Sequence, residues 1–165
     1  MQVEAMANSH ASPVICTPTH RITRLERAMI TSVESKHPQL ALLIGAPHDG
    51  NLSMHNDLVA MYDALRMRGL APEEVLTLEG KLDRQILMGY LKGVGRRIAQ
   101  WAKGELFLYF SGHGFFTGDT VEEARVGVQL QSAAQEDSEY CTYWDEIFFS
   151  LSVPEGVIFT ILPDH

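Results

Sequence analysis

The sequence predicts an α/β fold built on a mostly parallel sheet. Two observations carry that prediction. Continuous apolar runs bounded by turn-forming residues recur at 39–46, 105–110 and 156–162, and stretches of helical periodicity lie between them. Strands covered on both faces read as unbroken apolar runs. Strand and helix in alternation imply parallel pairing through right-handed crossovers.

Residues 1–36 are expected to be an N-terminal arm. Ser, Pro, Thr, Asn and His mix without period up to residue 20, and a short helix is expected over 21–35, with Ile22, Leu25, Ala28 and Met29 on one side. His37-Pro38 breaks it. Residues 37–165 are expected to form one domain. The first strand, QLALLIGA, fills 39–46. A helix follows over 54–68, where Leu58, Met61, Tyr62 and Leu65 recur at helical spacing, with Ser53 as N-cap and Gly69 as stop. EVLTLEG, 74–80, reads as the second strand. Asp83 caps a long helix whose stripe is Leu87, Leu91, Val94, Ile98 and Trp101. Gly89, Gly93 and Gly95 weaken that helix, which points to close packing on the sheet, and Gly104 is expected to end it.

ELFLYF, 105–110, is the third long strand, and Ser111-Gly112-His113-Gly114 is expected to turn at its end. ARVGVQLQ, 124–131, alternates Val126, Val128 and Leu130 with small or polar residues, as a half-exposed strand does. TYWDEIFFSL, 142–151, reads as a short helix with Trp144, Ile147, Phe148 and Leu151 inward. GVIFTIL, 156–162, reads as a further buried strand.

The totals exclude several function classes. The formal net charge of −8 argues against nucleic acid and anionic membrane surfaces as partners. Its apolar runs are too short to span a bilayer, and the first residues have no basic start and no apolar core of a signal peptide. The two cysteines, Cys16 and Cys141, form neither a CxxC pair nor a metal-ligand spacing, so a reducing, cytoplasmic setting is expected. His48, His55 and His113 fit no structural zinc pattern, and no calcium loop is present. Neither GxGxxG nor GxxxxGK[ST] follows the first strand, which weakens a nucleotide-binding reading.

In open α/β sheets, functional groups gather at the carboxyl ends of the strands. His113 sits at such an end, and a histidine titrates close enough to neutrality to act as general base or acid. Its flanking glycines would permit unusual backbone angles or close approach of a substrate backbone, and the amide of Gly114 could donate to a developing oxyanion. The plainer alternative is a tight turn holding a satisfied histidine.

A strand running into SGHG resembles the histidine motif of the caspase-like cysteine peptidases, the family of caspases, metacaspases and orthocaspases. ALLIGA followed by HNDLVAMYDALRMRGL is similar to that family's first strand and helix, and WDEIFFSL followed by VIFTILPD is similar to the helix and strand that lead to its nucleophile. The resemblance covers roughly residues 39–165, in order. It implies the caspase-type three-layer αβα sandwich, incomplete at its C-terminal side, and a Cys-His dyad in which His113 is the base and Gly114 the oxyanion donor. It also implies that Asp57, Ser111 and Asp164 line an acidic pocket like that of metacaspases, so that a peptide or protein substrate is cut after Arg or Lys. Carboxylates facing a pocket favour a cationic guest. Asp57 would equally serve as a helix N-terminal charge. Asp49 could line the same site, without a motif to support it. Calcium enters only through the resemblance, and no cofactor is expected from the residues themselves.

The departure from the family pattern is that its nucleophile follows the last of these strands as Asp-x-Cys, whereas here the residues are Asp164-His165. Neither Cys16, in the arm, nor Cys141, before the short helix, is expected to replace it. A histidine without its thiol cannot form an acyl-enzyme, so these 165 residues are expected to lack peptidase activity. A fragment of a peptidase, a processed large subunit and a pseudo-peptidase acting as an interaction module are the alternatives. In the resemblance, a small-subunit-like segment or a protein partner would pair with the edge at 156–162, which is otherwise an aggregation hazard.

Overall fold

The computed structural model describes residues 37–46, 52–131 and 139–164. The expected arm and helix within 1–36 lie outside these residues, as do Cys16, His48, Asp49 and His165. The described residues belong to one compact unit, His37–His165.

Among the described residues six strands and three α-helices follow one another: β1 (Gln39–Ala46), α1 (Ser53–Met67), β2 (Val75–Glu79), α2 (Arg84–Ile98), β3 (Gly104–Thr117), β4 (Arg125–Gln129), β5 (Cys141–Tyr143), α3 (Trp144–Leu151) and β6 (Val157–Asp164). β2, β1, β3 and β6 pair in parallel, in that order. β4 joins the far end of β3 in antiparallel fashion, and β5 joins β4. The fold is therefore α/β with a mostly parallel sheet.

Alternation along the strands divides the core between two faces. Leu40, Leu42 and Ile44 of β1 and Leu106, Leu108 and Phe110 of β3 meet Leu87, Leu91, Val94 and Ile98 of α2 and Ile147 and Leu151 of α3. On the other face Ala41, Leu43 and Tyr109 meet Leu58 and Leu65 of α1. α1 lies close to its strand because residue 45 is glycine: a Cβ there would stand 2.8 Å from Cδ1 of Leu58.

Local signals explain most boundaries. Asp83 caps α2, accepting from the Ile86 amide at 2.7 Å. Gly69 follows α1 with φ 91°, the left-handed conformation that ends helices. Ser53, expected as a cap, is instead the first helical residue, with Leu52 before it.

Several expectations need correction. The longest concerns Ser111-Gly112-His113-Gly114, which is no turn: β3 runs through it without interruption to Thr117. The chain changes partners there, leaving β1 after Gly112 and meeting β4 from His113 on. Gly112 has no left-handed φ; it is needed because a Cβ would collide with the carbonyl oxygen of Ala46. In α2 only Gly95 is closely packed, and against the Leu151 carbonyl of α3 rather than the sheet, while Gly89 and Gly93 face open space. α2 ends at Ile98, and Gly104 opens β3. Thr142 and Tyr143 belong to β5, so α3 begins at Trp144. In α3 Ile147 and Leu151 are buried, whereas Phe148 is 41% exposed. β6, expected as a buried strand, pairs with β3 alone among the described residues, and only its Val157 is buried.

Candidate functional site

The parallel register brings Gly45, Ser111 and Asp164 side by side at the carboxyl ends of β1, β3 and β6. α1 begins above that row, which hands it Asp57. The Ser111 hydroxyl donates to Oδ2 of Asp57 at 3.0 Å. Ser111 is buried, Asp57 half-buried and Asp164 exposed. The three residues expected to form an acidic pocket are thus adjacent, though they come from one helix and two strands. No lysine or arginine among the described residues is paired with either carboxylate.

A fourth side chain joins them that sequence reasoning missed. The hydroxyl of Tyr109 donates to Oδ2 of Asp164 at 2.8 Å. Its ionisation is pushed up to about 12, first by burial, then by the hydrogen bond and charge of Asp164 and the charge of Asp57. The phenol therefore keeps its proton, and its role as donor, throughout the neutral range. The available signal was the two-residue period of a strand, which puts Tyr109 on the face of Ser111.

His113 and Gly114 are exposed, in the part of β3 that pairs with β4. His113 is two residues beyond Ser111 on the same face, so the two Cα atoms are separated by about 7 Å. An exposed imidazole is free to meet a group approaching from solvent beside the Asp57–Ser111 pair. Gly114 lies opposite Val128 in the ladder.

Cys141 stands in the same cross-strand row as His113, because His113 pairs with Gln129 and Gln129 with Cys141. Two strand spacings separate their backbones by roughly 10 Å. Gln129 stands between them, and Cys141 is 0% exposed. A nucleophile and its base must come within hydrogen-bond reach, and this pair does not.

His55 belongs to a different place. Its Nδ1 lies 3.0 Å from Oε2 of Glu79, at the ends of α1 and β2. Among the described residues no three His, Cys, Asp or Glu side chains are grouped as a metal site, and no helix is long and apolar enough to cross a membrane.

On the α1 face, toward the amino ends of the strands and away from the acidic cluster, a groove of about 840 Å³ opens over Phe107 of β3 and Ile158, Thr160 and Leu162 of β6, lined also by Gln39, Arg68 and Glu105. Comparison with family models and with curated proteins finds no match to this chain.

Proposed function

We propose that this chain is the histidine-bearing part of a caspase-like, metacaspase-like cysteine endopeptidase domain of the cytoplasm. In this reading it has the caspase-type αβα sandwich and takes peptide or protein substrates with Arg or Lys before the scissile bond. The observation that carries the proposal is the meeting of Asp57, Ser111 and Asp164 beside His113 at the carboxyl ends of the parallel strands. His113 would act as general base, the Gly114 amide as oxyanion donor, and the two carboxylates as the trap for the cationic side chain. Catalysis would require a thiolate opposite His113, which none of the described residues supplies.

A second reading is supported by the burial of Cys141: the same fold would serve as a non-catalytic module that binds basic peptides. Both readings share the pocket. The test is titration of the chain with acetyl-arginine amide and, separately, acetyl-aspartate amide, followed by NMR. The arginine compound is expected to bind with Kd on the order of 1 mM and to shift the signals of Asp57, Ser111 and Tyr109. Asp57→Asn should weaken it roughly tenfold, the scale of one charge-assisted hydrogen bond. Equal response to both compounds would sink the basic pocket. Hydrolysis of peptide substrates by this chain is expected to be nil; turnover lost in Cys141→Ser would instead make Cys141 the nucleophile.

A further inference from the structure

β3 presents two hydroxyls on one face, Tyr109 and Ser111, and each holds one oxygen of a different carboxylate. Ser111 holds Asp57 of α1, and Tyr109 holds Asp164 of β6. The two carboxylates differ in what else restrains them. Asp57 sits in the first turns of a helix packed on the sheet. Asp164 is exposed on β6, which pairs with β3 and with no other strand among the described residues. An exposed carboxylate has several rotamers open to it, and freezing it costs free energy whenever a guest binds. Tyr109 is only 4% exposed, its ring packed with Leu43, Leu58 and Leu65. It is a rigid post rooted in the core with a donor at its tip.

We propose that Tyr109 is a positioning and specificity-determining residue for a cationic side chain: it fixes Oδ2 of Asp164 and so presents Oδ1 to a guanidinium or ammonium guest. This rests on the basic-pocket reading above. Tyr109 acts through Asp164 and is not itself a ligand of the guest, and it remains a donor because its proton is retained to high pH.

The experiment is a double-mutant cycle on the binding of acetyl-arginine amide, with Tyr109→Phe, Asp164→Asn and the double variant. Tyr109→Phe is expected to weaken binding roughly tenfold in the parent chain and less than about twofold once Asp164 is Asn. A general structural role would cost the same in both backgrounds, and that equality would overturn the proposal. Unchanged affinity in Tyr109→Phe would also overturn it while leaving the basic pocket standing. Absence of binding by the parent chain would remove the pocket and, with it, this role. Should Tyr109→Phe fail to fold, the parent chain and Asp164→Asn suffice, through the NMR titration of the Tyr109 ring carbon that bears the hydroxyl. Its midpoint near 12 is expected to fall in Asp164→Asn, and an unmoved midpoint would count against the contact itself.

Discussion

The two faces of the sheet are built differently. One is covered by α2 and α3, whose leucines, valine and isoleucines close over β1 and β3 as a continuous core. Among the described residues the other is covered by α1 alone, which reaches β1, β2 and part of β3, while Ile158 and Leu162 of β6 are 66% and 45% exposed. The polar cluster Asp57–Ser111–Tyr109–Asp164 belongs to this thinner face. The difference teaches a division of labour: burial of apolar area on the closed face supplies most of the stability, while the open face can spare room for carboxylates that a closed core would penalise.

Both faces depend on one stretch of backbone, the crossing of β3 and β1 at Gly112. Gly112→Ala would drive a methyl into the Ala46 carbonyl at the point where β3 leaves β1. A loss of about 4 kcal/mol or more is expected in urea unfolding, at the far end of single-substitution effects. A loss under about 1 kcal/mol would mean that the crossing has slack. Next in size is a paired test of the faces themselves. Leu91→Ala, at 0% exposure, should cost about 2–5 kcal/mol, whereas Ile158→Ala on the open face should change stability by no more than about 0.5 kcal/mol. Equal losses would show that something covers β6 in solution.

The smallest effect concerns pH. Tyr90, whose helix lies on the closed face, has its ionisation raised chiefly by burial; Tyr109, on the open face, has its raised to about 12 by burial and by its carboxylate neighbours. A raised phenol contributes stability that is complete below pH 10 and is lost as pH climbs toward 12, because the unfolded chain ionises first. Tyr109→Phe should therefore show a shallower alkaline decline than the parent in thermal unfolding midpoints between pH 9 and 12, with Tyr90 common to both. Parallel declines would mean that Tyr109 is not held as described.

Much of this was legible beforehand. β1 was expected over the eight residues it occupies, because an apolar run bounded by Pro38 and Gly45 leaves few alternatives. The α2 stripe was equally plain, since a 3.6-residue period survives its three glycines. Ser111-Gly112-His113-Gly114 misled because glycine is read first as freedom to turn. Here Gly112 serves close approach, and that need comes from Ala46, a residue 66 positions away in the chain. β5 itself was missed, and part of it read as helix, because three buried residues directly before a helix carry no period of their own.

For the site, residue type and position at a strand end nominated His113 and Gly114, and the resemblance to metacaspases added Asp57, Ser111 and Asp164. They could not show that Ser111 bonds Asp57 while Asp164 bonds Tyr109, since those contacts depend on strand register. Local patterning along this chain determined which segments are strands and helices, because propensity and periodicity act over a few residues. Only the tertiary structure decided that β3 extends past its glycines, that Gly112 meets Ala46, and that Tyr109 stands under the carboxylates. The Tyr109–Asp164 and Ser111–Asp57 bonds join residues 55 and 54 positions apart, β3 gains its extension from pairing with β4, and no local pattern encodes which of two neighbouring hydroxyls will meet which acid.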